Sequence, residues 1–193
     1  MTSSDSELSH LLMQHEMITA IIEAILFTST APVTVQQLLE ALADSDANEA
    51  EVEAALAGLQ SRWDRADSGI RLERVGEGFR CVTPPQLDAY LRSFHGIVAR
   101  QRLSQAALEV LAIVAYRQPV TLPEINFVRG VASGGVVRTL LERRLIRVSG
   151  RKAVVGKPFL YRTTKEFLVH FGLESVGDLP EPEELDSREP SAD

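Results

Sequence analysis

The apolar positions of the first half recur with a helical period and then with a strand period. The segment MITAIIEAILFT places isoleucine and leucine at every third or fourth position, which predicts a helix. Two more helices are predicted, VQQLLEALA with Thr34 as its N-cap and EAEVEAALAGLQSRWD after a polar break. The stretch IRLERVGEGFRCVT alternates in twos around two glycines, which predicts a hairpin, and Pro84 and Pro85 then open a short helix, QLDAYLRSF.

The same order of patterns returns in the second half. Ser104 is a predicted cap for QAALEVLAIVAYR, and LPEINFV follows as a short helix. Ser133 and two glycines precede a third helix, VVRTLLERR. LIRVSG and PFLYRTT are predicted strands joined by RKAVVGK. Thr163 and Thr164 then cap a last helix, KEFLVHFGL, with Glu166 close to the capping-box position.

Short motifs repeat between the two halves at the level of single residues. The tripeptide PVT at residues 32–34 returns at 119–121, an offset of 87, and the Val-Gly, Phe and Thr positions of 75–83 return at 155–163, an offset of 80. A spacing of this size indicates duplication of a whole domain rather than a solenoid. The predicted organisation is a mobile tail at 1–14, a first domain at 15–95, a second domain at 103–175 and an acidic disordered tail at 178–193, with the domain boundary near 95–103.

Each half thus combines a helix pair, a third helix and a β-hairpin. This is helix-turn-helix architecture with a hairpin wing, so the predicted fold class is α+β, mostly helical, with two tandem winged-helix domains. Such units bind DNA by placing the third helix in the major groove. They serve as well as protein-docking modules, so the fold alone does not decide the function.

Composition narrows the class of protein. The 193 residues carry a net charge of −7 and are 45% apolar, which fits packed cores and argues against a chain that coats nucleic acid along its whole length. A single cysteine, Cys81, excludes an internal disulfide and a Cys-based zinc site, and fits a reducing cytosol. The polar start lacks a basic signal-peptide region, and the apolar runs fall short of the roughly 20 residues of a membrane span. We expect a soluble cytoplasmic protein.

Positive charge is concentrated in one window. Residues 129–165 hold ten Lys or Arg and one acid, Glu142, a net of +9, while the rest of the chain carries −16. Three interpretations are open: specific DNA recognition, weak non-specific contact with a polyanion, and a solvated or protein-facing surface. A glutamate in the centre of the third helix disfavours the first. The candidate polyanion contacts are Arg138, Arg143, Arg144, Arg151 and Lys152, with Arg147, Lys157 and Arg162 beside them.

Neither catalytic residues, nor a metal site, nor a cofactor is predicted. Gly130, Gly134 and Gly135 superficially resemble a phosphate loop, but the required Gly-Lys-Ser/Thr is missing, so we interpret them as turn glycines. The four histidines are scattered and match no pattern of ligands or acid–base partners. These residues therefore provide no candidate for phosphate binding, metal binding or acid–base catalysis.

Four segments of the second half are specific to a known family. They are ALEVLAIVAYRQPVT, RGV, RTLLERRLI and GKPFLYRTT, in this order. With them the chain resembles the segregation and condensation protein B family over about residues 17–180, and the first half matches more loosely through IIEAILFTSTAPVT and VGEGFRCVT. Two positions depart from the family pattern: Arg144 stands where glycine is frequent, and Lys157 replaces the commoner arginine.

The resemblance implies an accessory subunit of the bacterial condensin, without enzymatic activity of its own. It implies a homodimer that binds the kleisin, segregation and condensation protein A, and through it the SMC ATPase, in chromosome condensation and segregation. The implied location is the cytoplasm, associated with the nucleoid. The alternative from another class is a winged-helix transcriptional regulator that binds DNA directly. We expect the dimer to join mainly through the first domain, with its apolar helix at residues 18–27.

The apolar helix at residues 108–116 has two interpretations. It is either the central helix of its domain, buried on most sides, or a helix with part of its surface, including Tyr116, turned towards the other domain or a kleisin helix. The residues expected at or near such a partner surface are Leu108, Tyr116, Phe159 and Tyr161, and for Phe159 a place in the core is an equal expectation.

Overall fold

The computed structural model describes residues 3–45, 47–96 and 102–181, with side chains from residue 15 onward. It divides into two units, residues 1–99 and 100–193. The domain boundary predicted near 95–103 falls largely outside the described residues and stays a prediction.

The described residues of the first unit form four helices and a hairpin, in the predicted order. The elements are α1 (Ser3–Thr28), α2 (Val35–Ala41), α3 (Glu49–Trp63), β1 (Arg71–Val75), β2 (Gly78–Val82) and α4 (Asp88–His95), with 3-10 turns at Ala43–Ser45 and Pro85–Leu87. Ile22, Leu38 and Leu59 are fully buried in one core that α1, α2 and α3 share. The periodic apolar positions of each helix therefore face the same interior.

Polar caps determine where α2 and α3 begin. Thr34 is the N-cap of α2, as predicted, and its Oγ1 accepts from the N–H of Gln37, whose Oε1 accepts in return from the N–H of Thr34 at 2.9 Å. Asn48 and Glu51 make the same reciprocal pair at the start of α3. Both pairs satisfy N–H groups that the first helical turn leaves without partners.

Val33 extends the two-stranded sheet of the first unit by a single bridging residue. β1 pairs with β2 in antiparallel register across a two-residue turn, Gly76 and Glu77, both at positive φ. Val33 forms an isolated bridge with Phe79, in which each residue donates its N–H to the carbonyl of the other at 2.8 Å. The PVT segment is therefore both the entry to α2 and the edge of the sheet.

The second unit repeats this arrangement with a longer wing. Its elements are α5 (Gln105–Arg117), β3 (Val120–Thr121), α6 (Leu122–Arg129), α7 (Gly134–Glu142), β4 (Ile146–Arg151), β5 (Phe159–Thr163) and α8 (Lys165–Phe171), followed by a 3-10 turn at Val176–Asp178. The strands form an antiparallel sheet in the order β3-β5-β4. Residues 152–158 join β4 to β5, where the first unit has only two residues. Both units are winged-helix domains, so the predicted fold class is confirmed.

Strand register corrects the residue pairing that the repeat suggests. Val33 bridges to Phe79 in the first unit, and the equivalent Val120 pairs with Tyr161 in the second. Phe79 and Tyr161 are therefore structural counterparts, two residues away from the match of Phe79 with Phe159 in the sequence. The loop between β4 and β5 is longer than the turn of the first unit. The repeated sequence motif therefore does not fall on equivalent positions of the strand that follows.

Three local predictions are corrected. The tail predicted at residues 1–14 is helical from Ser3, as the start of α1, and its mobility stays a prediction. Glu166 lies at the second position of α8, not the third, so the cap there consists of Thr164 Oγ1 accepting from the N–H of Phe167. α7 ends at Glu142 and includes Gly134 and Gly135 in its first turn. Of the tail predicted at 178–193, residues 182–193 lie outside the described residues.

Arg144 occupies a backbone conformation that favours glycine. Its φ is +57°, in the left-handed region, two residues after the end of α7. The N–H of Leu145 donates to the carbonyl of Leu140 at 3.0 Å and the N–H of Arg144 to that of Leu141 at 2.9 Å, which together form a Schellman motif. Leu145 and Leu140 are both buried, as this motif usually requires. Glycine would adopt this backbone conformation without the cost that the arginine side chain brings.

We expect Arg144→Gly to stabilise the second unit by about 0.5–1 kcal/mol. A side chain in the left-handed region costs roughly 1–2 kcal/mol, and the greater unfolded-state entropy of glycine returns part of that gain. Urea unfolding followed by circular dichroism measures the change. The control is Arg143→Gly, because Arg143 has φ −79° and gains nothing from glycine. A destabilised Arg144→Gly variant would contradict the assignment of strain.

Candidate protein-interaction surfaces

One face of α5 lines the core and the other is open. Val110, Leu111 and Val114 are buried, whereas Leu108 and Tyr116 are exposed two helical turns apart on one stripe. The helix is therefore the central helix of its domain and also presents an apolar stripe outward, and that this stripe faces a partner stays a prediction.

A C-terminal strap crosses the end of this stripe. The phenolic hydroxyl of Tyr116 donates to the carbonyl of Pro180 at 2.7 Å, while Leu173 and Leu179 pack against the core of the second unit. Ser175 and Asp178 form a capping box that orders the turn between them. The folded unit thus extends past the predicted limit at residue 175. In the sequence, the pattern S-x-x-D between two leucines indicates this capped turn.

The two aromatic residues of the wing strand have opposite environments. Tyr161 is 7% exposed and belongs to the core, so it offers no surface to a partner. Phe159 is 43% exposed, and the guanidinium carbon of Arg151 lies 4.0 Å from the centre of its ring. Residues two apart share one face of a strand, so the difference comes from their positions along it. Phe159 is the first residue of β5, whereas Tyr161 is at its centre and pairs with Val120.

α4 carries the largest exposed aromatic surface of the first unit. Tyr90 is 76% exposed and Phe94 is 84% exposed, and they lie four residues apart on one face with half-buried Leu91 beside them. No residue of α4 is buried, whereas Phe167 and Leu168 anchor its counterpart α8 in the core of the second unit. The sequence analysis missed this surface, although two aromatics at i, i+4 in QLDAYLRSF are a visible signal.

A cleft of about 470 Å³ lies beside the hairpin of the first unit. Gln60 of α3, Arg71 of β1 and Pro84 are among the residues that line it. The Nε of Arg71 is buried and has no hydrogen-bond partner among the described residues, and its NH1 lies 3.8 Å from Asp64. The cleft therefore borders one buried donor that lacks a hydrogen-bond partner in the described part of the unit.

Internal partners neutralise part of the basic window. Arg129 binds Glu109 at 2.9 Å, Arg138 binds Glu142 at 3.0 Å along α7, and the Nζ of Lys152 lies 2.5 Å from Glu124. Arg143, Arg144, Arg147 and Arg162 are exposed, and no ion pair of their side chains occurs among the described residues. Arg151 and Lys157 at the tip of the wing are also exposed and have no ion pair among these residues, so the open positive charge lies along the wing rather than on α7.

The wing is held to α6 by a charged contact. Glu124 accepts from Lys152 and from both the hydroxyl and the N–H of Thr121, and these bonds lower the pKa of its carboxyl from 4.5 to about 2, with Lys152 as the largest cause. A carboxyl with a lowered pKa contributes stability above its ordinary pKa. That contribution is lost as the pH falls from about 4.5 towards 2.

We expect Lys152→Met to lower the free energy of unfolding of the second unit by about 0.5 kcal/mol at pH 6. The effect is small because both side chains are partly solvated. It should shrink as the pH falls towards 3, because the carboxylate becomes protonated more readily once the lysine is removed. Urea unfolding at both pH values measures it. Lys157→Met is the control from the same loop. If the free energy of unfolding depends on pH equally in both variants, the contact between Lys152 and Glu124 does not contribute as stated.

Cys81, the single cysteine, is not an activated nucleophile. Burial raises the pKa of its thiol, and the nearby Glu23 carboxylate raises it further. The thiol therefore stays protonated at neutral pH. Among the residues that the structure describes, no group of three His, Cys, Asp or Glu side chains could hold a metal ion, and no helix is long and apolar enough to cross a membrane.

Comparison with known proteins agrees with the sequence motifs. The family model described as "Segregation and condensation complex subunit ScpB" matches residues 20–182. Segregation and condensation protein B of Syntrophotalea carbinolica is 49% identical over 161 residues, which cover 83% of this chain and 80% of the relative. The solved ScpB of Mycobacterium tuberculosis is 36% identical, with 82% of this chain and 97% of that chain covered and a TM-score of 0.38.

A further solved structure is a dimer of the ScpB N-terminal domain complexed with a ScpA peptide. It is 28% identical, covers 41% of this chain and 95% of that chain, and has a TM-score of 0.38. The fold and the surfaces define a protein of two winged-helix domains with open apolar and cationic faces. On the family match and the relatives, the chain belongs to the segregation and condensation protein B family.

Proposed function

We propose that the protein is a non-enzymatic adaptor of the SMC–kleisin condensin. As a homodimer it binds the kleisin, segregation and condensation protein A, and through it the SMC ATPase, and so supports chromosome condensation and segregation during cell division. The observation that carries the proposal is the family match over residues 20–182, in a family described as a subunit of a complex. Its place is then in the cytoplasm, associated with the nucleoid.

The surfaces of both units support a role in assembly. Tyr90 and Phe94 on α4, Phe127 on α6 and the stripe of Leu108 and Tyr116 on α5 are large apolar groups exposed to solvent. Contiguous exposed apolar surface marks sites of protein association, and aromatic side chains dominate the energetics of such sites. The helix that would enter a DNA groove, α7, instead pairs its exposed Arg138 with Glu142.

Co-purification with the kleisin encoded in the same genome tests the proposal. We expect a complex of defined mass that persists between 50 and 200 mM salt, because buried apolar contacts are screened little. Weak duplex binding through the wing should collapse over the same range, by roughly a thousandfold for six phosphate contacts. Affinities for kleisin and for a DNA duplex are measured at both salt concentrations, by calorimetry and by fluorescence anisotropy.

Charge reversal separates the two partners. Arg143→Glu combined with Arg144→Glu should abolish duplex binding at 50 mM salt and leave kleisin binding largely intact, because both arginines are exposed at the base of the wing. Arg65→Glu is the matched control, an exposed arginine of the first unit. If the protein binds one duplex sequence tightly at 200 mM salt and does not bind kleisin, the adaptor proposal is wrong. A function as a transcriptional regulator would then take its place.

A further inference from the structure

Two arginines face each other across the wing hairpin without a counter-charge. Arg147 of β4 is the register partner of Arg162 of β5, and both side chains are exposed. No ion pair of either one occurs among the residues that the structure describes. Like charges directly opposite on neighbouring strands destabilise a sheet. A negatively charged group that binds there would remove this repulsion.

Two more arginines extend this surface. The hydroxyl of Thr164 donates to the carbonyl of Arg144 at 2.6 Å, so Arg144 lies against the end of β5, where Thr164 is two positions from Arg162. Arg143 precedes it and is also exposed. Arg143, Arg144, Arg147 and Arg162 are called the arginine cluster below. Together they carry four positive charges at one end of the wing.

The last described residues of the chain lie near this end. Pro180 accepts from Tyr116 at the end of α5, and Gln118, two residues further, accepts from both the N–H and the hydroxyl of Thr163, at 2.9 and 3.0 Å. Thr163 is the neighbour of Arg162 on β5. The chain therefore leaves the described part of the second unit close to the strand that carries the arginine cluster.

Length and charge of the remaining segment match the cluster. Residues 182–193, PEELDSREPSAD, hold five acids and one arginine, a net of −4. Twelve residues can span up to about 40 Å, more than the roughly 30 Å width of a domain of this size. A segment tethered this closely has an effective concentration in the millimolar range, which an untethered polyanion seldom reaches.

We propose that residues 182–193 bind across the arginine cluster and screen it from other polyanions. The acidic side chains neutralise Arg147 and Arg162, which have no other counter-charge in the described chain. Nucleic acid reaches the base of the wing only by displacing this segment. The inference concerns an intramolecular contact and does not depend on the kleisin proposal.

Paramagnetic relaxation in the full-length chain tests the contact. A nitroxide is attached at Ser191→Cys in a Cys81→Ser background, and amide signals are compared at 50 and 500 mM salt. We expect selective broadening of the Arg147 and Arg162 amides at 50 mM that disappears at 500 mM. The broadening should also disappear in a tail-neutral variant, with Glu183→Gln, Glu184→Gln, Asp186→Asn and Glu189→Gln, and in Arg147→Gln with Arg162→Gln. Arg65→Gln with Arg138→Gln is the matched control and should leave it unchanged.

Two outcomes would overturn the proposal. One is the absence of selective broadening at 50 mM salt. The other is broadening of equal strength in a mixed sample, in which the nitroxide and the isotope label are on different copies, because the contact would then join two chains.

Duplex binding provides an independent readout. The tail-neutral variant should bind a mixed-sequence duplex of 20 base pairs about tenfold more tightly than the wild type at 50 mM salt, because a competitor has been removed. In the background of Arg147→Gln with Arg162→Gln, neutralising the tail should change the affinity little. An unchanged duplex affinity on tail neutralisation, or an equal gain in both backgrounds, would show that the tail does not screen the cluster.

Discussion

Replacing Gly78 by alanine is expected to lower the free energy of unfolding of the first unit by about 3 kcal/mol. A Cβ at this position would lie 2.8 Å from the carbonyl oxygen of Val33 and 2.9 Å from its carbonyl carbon. Those atoms belong to the backbone, so they cannot move aside as a flexible side chain would. The bridge between Val33 and Phe79 would have to open and lose two hydrogen bonds of 2.8 Å, each contributing about 0.5–1.5 kcal/mol in addition to the steric cost.

The single tryptophan makes this measurement specific to the first unit. Trp63 is buried in its core, so its fluorescence during urea unfolding follows this unit. Gly58→Ala is the matched control: Gly58 lies in α3, where an added methyl group would meet nothing within 4 Å, and alanine should stabilise the helix by up to about 1 kcal/mol. If Gly78→Ala and Gly58→Ala are equally stable, the close approach of residue 78 to the Val33 backbone does not require glycine.

Local signals in the sequence are sufficient to predict most elements. Thr34 and Ser104 are recognisable as caps because their side chains satisfy N–H groups within one turn, which depends on only a few neighbouring residues. The hairpin of the first unit is predictable for the same reason, since alternation and the turn at Gly76 lie within one short segment. These features need no knowledge of distant parts of the chain.

Long-range pairings cannot be predicted in the same way. The bridge of Val33 to Phe79 joins residues far apart in sequence, and nothing in PVT itself indicates a strand. The expectation that Tyr161 lies at a partner surface fails for a similar cause. Only the pairing of β3 with β5 places Tyr161 against Val120 and turns it inward. The local sequence pattern does not determine the register between strands that are distant in the chain.

The candidate surfaces are predictable in part. Leu108, Tyr116 and Phe159 are exposed, as a partner contact requires, while Tyr161 is not. The sequence predicts open charge across residues 129–165, but ion pairs with Glu109, Glu124 and Glu142 neutralise Arg129, Lys152 and Arg138 and leave the open charge along the wing. Two of those partners lie outside the basic window, so the charge count along the chain could not include them.

The face by which two copies associate should be the aromatic face of α4. The apolar helix at residues 18–27 suggests a dimer through this domain, but Ile18, Ile22 and Leu26 are buried in the unit's own core. Tyr90 and Phe94 are exposed in the same unit and have no such role. Residues that fill a core cannot also supply an interface, so the aromatic pair is the better candidate.

We expect Tyr90→Ser combined with Phe94→Ser to weaken the proposed homodimer by more than 100-fold. Two aromatic side chains removed from an interface cost about 3 kcal/mol or more, and each 1.4 kcal/mol corresponds to a factor of ten in the dissociation constant. Sedimentation equilibrium of the full-length protein at micromolar concentration measures the change. The unit itself should remain folded, because no residue of α4 is buried in its core.

Phe127→Ser is the matched control for this experiment. Phe127 is 89% exposed on α6 of the second unit, so the change removes an equally accessible aromatic and should leave the dimer intact. If the Tyr90 and Phe94 variant stays dimeric while Phe127→Ser is a monomer, the copies associate through the second unit. If both variants are dimers, these aromatics are excluded, and Met17 and Phe27 of α1, which are also exposed in the first unit, become the next residues to test.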